Sequence, residues 1–276
     1  MSRPEPVGRF LWYELLTTDR QAAADFYCSV MGWTTETRET GDEPYLMWLN
    51  GEHPLAGAME LPEEAQRGGA PPHWLAYVGV VDVDESTARA VEIGGSVLLA
   101  PMDIPDVGRI AVLTDPPGAP FAVYAPRKVM ESPERPPAVG EFSWHDLATE
   151  DWRAALEFYG DLFGWEATDA LDMGDAGIYQ MFGLDGVTFG GMYADAGRPP
   201  SWLVYGRVDD LERALERVRE GGGEAPSDPM EVPGGDLIAE CVDPQGAVFA
   251  LHQKVESGAA TGGDGDLPES AARTVG

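Results

Sequence analysis

Four side chains combine a titratable group with a place in a strand-like segment. Glu14 and Asp146 lie in FLWYELL and FSWHDLA, while Tyr124 and His252 lie in FAVYA and FALHQ. A carboxylate whose pKa is raised by burial can act as a general base near neutral pH, and it can orient an imidazole. These four residues are therefore the candidate catalytic groups of the sequence.

A tryptophan precedes each of the two carboxylates by two residues, and a phenylalanine precedes each tryptophan by two more. An indole stacks on planar rings and attracts cations. We therefore predict that Trp12, Trp144, Phe10 and Phe142 bind a planar or cationic organic molecule. The alternative interpretation is that these rings fill a core and that the carboxylates lie at its rim.

Strand alternation assigns the faces, because successive side chains of a strand point to opposite sides. The residues between the candidates, Leu11, Tyr13 and Leu15, form the more apolar set and are expected to lie under helices. Trp12 would then face an open cup. In the second segment, His145 is expected to face the helix layer as a structural histidine.

The elements that would position these residues occur twice. FYCSVMGW at 26–33 recurs as FYGDLFGW at 158–165, and other segments repeat in the same register. The further pairs are WYELLTTD (12–19) with WHDLATED (144–151), and DPPGAPFAVY (115–124) with DPQGAVFALH (243–252). Self-similarity over about 110 residues in a fixed order indicates an internal duplication.

Each copy contains two units with the order strand, helix and three strands. Asp19 and Asp151 are expected to cap the first helices, and Gly32 and Gly164 are expected to end them. The fold class is therefore predicted to be α+β, with tandem duplicated domains. Four βαβββ modules would form two cup-shaped mixed sheets.

Composition divides the chain into segments. A stretch rich in proline and charge separates the copies, and the end of the chain has no apolar periodicity. The predicted segments are a first domain at 1–127, a linker at 128–140, a second domain at 141–254 and a disordered tail at 255–276.

The sequence does not decide how the modules pair. If they pair within each copy, Asp146 meets His252 and Glu14 meets Tyr124. If they exchange between copies, Glu14 meets His252 instead.

Charge limits the class of partner. The 276 residues contain 18 basic and 48 acidic side chains, a formal charge of −30, which disfavours nucleic acids and anionic membranes. The two cysteines, Cys28 and Cys241, form no disulfide framework or metal motif. No signal peptide or membrane helix is recognisable, so we expect a soluble, cytoplasmic monomeric pseudo-dimer or homodimer.

The βαβββ repeat, FYxxxxGW and DPxGAxFA resemble the vicinal oxygen chelate superfamily, which includes glyoxalase I, bleomycin-resistance proteins and extradiol dioxygenases. Within it, the chain is most similar to two-domain actinobacterial proteins labelled glyoxalase-like or hydroxylase. The resemblance implies a divalent metal held by residues of the first, middle and last strands. The matching positions of this sequence hold Trp12, Trp144, Ala76, Leu203, Ala122 and Ala250. Because these side chains cannot ligate a metal, we expect no metal and no cofactor.

Three functions are consistent with these patterns. The first is a metal-free protein of the bleomycin-resistance type that binds an aromatic or cationic compound in its cups. The second is a small-molecule lyase, isomerase or hydroxylase-like enzyme that uses the candidate catalytic groups as acid or base. The third is a scaffold with vestigial cups.

Overall fold

The computed structural model describes residues 7–40, 43–128 and 135–255 of the chain. Most of the predicted tail, and residues 129–134 of the predicted linker, lie outside these ranges. Each copy of the duplication forms one eight-stranded mixed sheet, so the predicted α+β fold of four βαβββ modules is confirmed.

The first sheet has the strand order β2-β3-β4-β1-β5-β8-β7-β6. Its strands are β1 (Phe10–Thr17), β2 (Thr34–Thr40), β3 (Glu43–Asn50), β4 (His53–Glu60), β5 (His73–Gly79), β6 (Ser96–Ile104), β7 (Gly108–Thr114) and β8 (Pro120–Pro126). The two modules of the copy meet where β1 pairs antiparallel with β5. Within the modules, β1 runs parallel to β4 and β5 runs parallel to β8.

The second sheet repeats this order as β10-β11-β12-β9-β13-β16-β15-β14. Its strands are β9 (Phe142–Thr149), β10 (Glu166–Asp172), β11 (Ile178–Leu184), β12 (Val187–Ala194), β13 (Ser201–Val208), β14 (Met230–Glu231), β15 (Leu237–Val242) and β16 (Val248–Gln253). All strands of a sheet therefore come from one copy, which resolves the open question of pairing in favour of the within-copy arrangement.

The first helix of each copy begins and ends where the sequence signals predict, and the described residues form five α-helices in all. They are α1 (Arg20–Met31), α2 (Glu63–Arg67), α3 (Val83–Glu92), α4 (Trp152–Phe163) and α5 (Leu211–Glu220). The Asp19 carboxylate accepts from the Ala22 amide at 3.0 Å, and α1 ends at Gly32 with a φ of 72°. Asp151 and Gly164 do the same for α4, so all four predicted caps are confirmed.

Each core lies between the two copies. Tyr13 and Leu15 of β1, together with α1, pack in one cluster with Leu211 of α5 and Phe249 of β16. The second cluster joins the other module of the first copy to α4 in the same way. We call the sheet side that carries Tyr13 and Leu15, and its equivalent in the second copy, the helix face.

Hydrogen bonds between the copies explain the repeated motifs. The Trp33 indole donates to the Gly140 carbonyl at 2.7 Å, and the Trp165 indole donates to the Gly8 carbonyl at 2.8 Å. The tyrosines of the same motif are also reciprocal. Tyr27 donates to Asp243 and Tyr159 donates to Asp115, each at 3.2 Å. FYxxxxGW and the DPxG turn therefore recur because each copy binds the other through them.

Candidate functional site

The side of each sheet opposite the helix face is its cup face. In the first copy, Leu75, Tyr77, Ala122 and Tyr124 form a buried cluster there, and Trp12 packs against it. The structure thus places the indole of Trp12 away from the helices. The register of β9 and β13 places Trp144 beside Tyr205 in the second copy. We refer to the two sites as the first and the second cup.

A β-bulge at the start of β1 interrupts the alternation of side chains. The pairing with β5 advances by one residue while β1 advances from Phe10 to Trp12, so Leu11 is the extra residue. An inserted residue reverses which face the preceding side chain occupies. Phe10 therefore stacks on His145 of the other copy, with ring centroids 3.8 Å apart.

The second copy has the same irregularity between Phe142 and Trp144, where Ser143 is the extra residue. Phe142 consequently stacks on Tyr13 at 3.8 Å and belongs to the core between the copies. The prediction that Phe10 and Phe142 line the cups is therefore wrong. Strict alternation cannot anticipate the extra residue in each first strand.

Glu14 lies at the base of the first cup and is only 4% exposed. Tyr45 of β3 donates to its Oε2 at 2.8 Å, and the Trp12 indole donates to the Tyr45 hydroxyl at 3.1 Å. The other carboxyl oxygen, Oε1, is buried without a hydrogen-bond partner among the described residues. Burial raises the pKa of Glu14 to about 8, against the opposing effects of the Tyr45 hydroxyl and the nearby Trp12 indole.

Asp146 lies at the base of the second cup and is 7% exposed. Its Oδ1 accepts from Tyr179 at 2.6 Å and from the Trp144 indole at 2.9 Å, while its Oδ2 accepts from Tyr205 at 2.7 Å. Burial raises the pKa of Asp146 to about 6, because the three donors offset only part of the desolvation. Both cups therefore hold a carboxyl group bound by aromatic donors.

A glycine beside each carboxylate makes room for the tyrosine that binds it. Gly57 of β4 is paired with Glu14, and a Cβ at this position would lie 1.8 Å from the Tyr45 hydroxyl oxygen. Gly191 of β12 is paired with Asp146 and leaves the same space for Tyr179. Neither tyrosine is predicted by the alternation of the first strands. Glycines inside apolar strands are the signal of close approach that could have found them.

The two remaining catalytic candidates do not meet the carboxylates. The Tyr124 hydroxyl donates to the Val107 carbonyl at 3.3 Å rather than to Glu14. His252 lies between Ser143 and Asp236, with Nδ1 2.8 Å from the serine Oγ and Nε2 3.1 Å from the carboxylate. The predicted pairs of Asp146 with His252 and of Glu14 with Tyr124 are therefore wrong as hydrogen-bonded pairs, although the within-copy topology is correct.

The positions that hold a metal in the resembling families can be compared directly. Trp12 pairs with Tyr77, which pairs with Ala122, so an indole and a methyl group lie in one row across three strands. Trp144 and Ala250 form the same row in the second copy through Tyr205.

The middle position of the first copy is Leu75, which pairs with Glu14, and not Ala76, which faces the helices. The described residues contain no cluster of three His, Cys, Asp or Glu side chains that could hold a metal ion. The side chains at the expected positions do not fit a divalent metal.

Two tandem α+β domains, each with one curled eight-stranded mixed sheet of two βαβββ modules, are the architecture of the glyoxalase class of proteins. Residues 13–124 match the profile of the glyoxalase-like domain. Residues 141–251 match that of the Glyoxalase/Bleomycin resistance protein/Dioxygenase superfamily. The chain belongs to this superfamily.

Relatives align along nearly the whole chain. CFP32 of Mycobacterium tuberculosis, which carries the provisional name glyoxylase, is 31% identical over 87% of this chain and 92% of its own length. The anthracycline biosynthesis protein DnrV of Streptomyces peucetius is 30% identical over 95% of this chain and 99% of its own length. The alignments therefore span both copies of the duplication.

Solved structures share the fold at low identity. The Mn(II)-bound glyoxalase from Novosphingobium aromaticivorans superposes with a TM-score of 0.64 at 18% identity, over 91% of this chain and 83% of that one. The 2,3-dioxygenase LapB from Pseudomonas sp. KL28 gives 0.63 at 12% identity, over 90% and 92%. At this identity the likeness concerns architecture alone. Within the described ranges, every helix is too short or too polar to reach across a bilayer.

Proposed function

We propose that this chain is a small-molecule-binding protein that uses no metal of its own and receives an aromatic, basic compound in a cup. The observation that carries this proposal is the buried carboxyl group at the base of each cup, bound by tyrosine and tryptophan donors. Trp12 and Trp144 offer ring faces for stacking or cation–π attraction. Glu14 and Asp146 offer the negative charge that a basic group needs.

The net charge of the chain and the names of two relatives support the same class of ligand. A formal charge of −30 attracts organic cations over a long range. Two Streptomyces relatives, DnrV and DauV, are named for anthracycline biosynthesis and align with 95% and 93% of this chain. A polycyclic aromatic compound with a basic group therefore suits the residues and the family.

Calorimetric titration tests the proposal with a panel of polycyclic aromatic compounds, with and without a basic group, that includes an anthracycline. We expect a basic member to bind with a defined stoichiometry and to quench tryptophan emission. The double variant Glu14→Gln with Asp146→Asn should lose this binding. Asp25→Asn is the matched control, because Asp25 is exposed on α1, where it accepts from Gln21.

Two results would contradict the proposal. Absence of binding across the panel would favour the scaffold with vestigial cups. Stoichiometric iron, manganese, nickel or zinc in the purified protein, measured by elemental analysis, would contradict the metal-free part alone.

We further propose that the working unit is the monomeric pseudo-dimer. The helix face of each copy is already covered by the other copy, and Trp33 and Trp165 join the copies reciprocally. Light scattering should give a mass of one chain. A mass of two chains at micromolar concentration would favour the homodimer.

One arrangement favours an enzyme as the second candidate function. Asp236 and Ser143 bind opposite ring nitrogens of His252. The carboxylate accepts from Nε2–H, so the lone pair of Nδ1 faces the serine hydroxyl. An imidazole oriented in this way can transfer a proton at a bound molecule, as a lyase or an isomerase requires.

Product analysis separates the two functions. Each ligand that binds is incubated with the wild type, His252→Gln and Asp236→Asn, and the mixture is analysed by mass spectrometry. An enzyme should convert the ligand in the wild type and lose this conversion in His252→Gln. A ligand recovered unchanged from the wild type supports binding alone.

A further inference from the structure

We infer that the two cups are not equivalent: the first cup binds the ligand, with Glu14 Oε1 accepting from a protonated amine, and the second is closed by its own hydrogen bonds. This inference rests on the proposed function and specifies it. It predicts one ligand for each chain, although the chain has two copies of the cup.

The two carboxyl groups differ in how many donors they have. Asp146 receives three hydrogen bonds from Trp144, Tyr179 and Tyr205, which occupy both of its oxygens. Glu14 receives one, and its Oε1 is buried without a partner in the described part of the chain. A buried oxygen without a donor costs about 1–3 kcal/mol, which a ligand N–H would recover.

The difference arises at equivalent positions of the duplicated sheets. Tyr205 of β13 donates to Asp146 at 2.7 Å, whereas the matching Tyr77 of β5 leaves Glu14 Oε1 unpaired. Tyr77 is near enough for the charge of Glu14 to raise its pKa further. Glutamate has one methylene more than aspartate, and the two carboxyl groups differ in which oxygens accept from the neighbouring tyrosines.

An arginine also distinguishes the second cup. The Arg198 guanidinium donates to the Tyr193 hydroxyl at 2.9 Å and lowers the pKa of Asp146 against the effect of burial. On β4 of the first copy, the position that matches Tyr193 is Met59. Arg198 also forms ion pairs with Asp195 at 2.8 Å and with Glu240 at 3.4 Å, so its charge is compensated. The difference between the cups is therefore the polar contact of Arg198 with Tyr193, which Met59 cannot form.

The groups that face Glu14 fix the direction of a proton linkage. Tyr45 of β3 and Tyr77 of β5 have raised pKa values and stay neutral near pH 7, while Gly57 of β4 presents no side chain. The pKa of Glu14, about 8, leaves the carboxyl group mostly protonated at pH 7. A cationic amine requires the ionised form, so its binding should release a proton and strengthen as pH rises toward 8.

Two planar probes test this inference by calorimetry. The first is 9-aminoacridine, which is a planar cation at neutral pH, and the second is acridine, a ring of the same shape that is neutral there. For 9-aminoacridine we expect one site per chain and an affinity that rises several-fold, at most about tenfold, per pH unit up to about pH 8. Titration in two buffers of different ionisation enthalpy should show up to one proton released.

Variants assign the site. Glu14→Gln should weaken 9-aminoacridine binding at pH 8 at least about tenfold and abolish its pH dependence. The acridine affinity should change little. Asp25→Asn should match the wild type in both titrations, and circular dichroism establishes that each variant is folded.

Each outcome decides the inference. Two sites per chain, uptake of a proton, or equal binding by Glu14→Gln would overturn it while leaving the proposed binding function intact. Failure of both probes to bind the wild type, together with failure of the wider panel, would overturn both. If Glu14→Gln does not fold, the stoichiometry and proton release of the wild type still decide between one cationic site and two.

Discussion

Tyr13 and His145 occupy the same position of the two copies and bind each other, with 2.7 Å between the tyrosine Oη and the histidine Nε2. The other ring nitrogen, Nδ1, lies 2.9 Å from the Phe189 carbonyl, which can only accept. His145 is therefore protonated at Nδ1, and Tyr13 donates to Nε2. Equivalent residues in contact lie on the axis that relates the copies, as expected for a fused pseudo-dimer.

Replacing Tyr13 with phenylalanine should destabilise the protein. The change leaves the buried Nε2 of His145 without a donor, which costs about 1–3 kcal/mol. Urea denaturation at pH 7 measures the difference. Tyr193→Phe is the comparison, because this hydroxyl is bound by the half-exposed Arg198 and should matter less. An equal loss in both variants would contradict the importance of the central pair.

Acid should destabilise the protein through His145. Burial lowers the pKa of this imidazole to about 4 from an ordinary value of 6.5. The unfolded state therefore binds a proton that the folded state does not, and stability falls as pH decreases from 6.5 to 4. The contribution is about 3 kcal/mol across this window. His145→Gln should be less stable at pH 7 but should show a shallower loss toward pH 4, measured by urea denaturation at several pH values.

The sequence predicts the duplication from its repeated segments, and it predicts the helix caps and the faces of Trp12 and Tyr13 from local spacing. It misplaces Phe10 and Phe142, since one bulged residue reverses the alternation without leaving a signal in composition. It also cannot show that Tyr27 donates to Asp243. This contact forms because α1 of the first copy packs against the second copy, and that arrangement leaves no signal in the sequence.

Prediction of the site from the sequence has the same limit. Glu14 and Asp146 are predictable because they share a strand with the tryptophans. Tyr45 and Tyr179 reach them from other strands, and only the glycines of β4 and β12 indicate the close approach.

Glu14→Gln should change how stability depends on pH. The pKa of Glu14 in the folded protein, about 8, exceeds its ordinary value of 4.5 because of burial. The wild type therefore loses stability as pH rises from 4.5 to 8, by about 5 kcal/mol before compensation by other groups. The variant should lack this loss. The difference in the free energy of unfolding should therefore shift in favour of the variant as pH rises toward 9. A constant difference between pH 5 and pH 9 would show that Glu14 titrates normally.

The indoles of FYxxxxGW should stabilise the contact between the copies. Trp33→Phe removes the hydrogen bond to Gly140, and Trp165→Phe removes the matching bond to Gly8. Each variant leaves a buried carbonyl unpaired and a smaller ring in the core, so we expect a loss of about 2–4 kcal/mol. Thermal unfolding should show similar decreases for the two variants. Trp152→Phe is the control, since its ring packs with Arg153 at the edge of α4.

Gly57→Ala should damage the first cup with little effect on the second. The added methyl group would occupy the position of the Tyr45 hydroxyl, so the tyrosine must move away from Glu14 and Trp12. Glu14 then loses the hydrogen bond from Tyr45, which raises its pKa further and weakens binding of a cationic ligand. Gly69→Ala tests whether loss of a glycine alone is sufficient, because open space surrounds that position although its φ is 86°. The same ligand affinity in Gly57→Ala and in the wild type, measured by calorimetry at pH 8, would mean that the tyrosine does not shape the site. Weaker binding in Gly57→Ala, with Gly191→Ala losing stability but retaining the ligand, would assign binding to the first cup by a route independent of any change at the carboxylate itself.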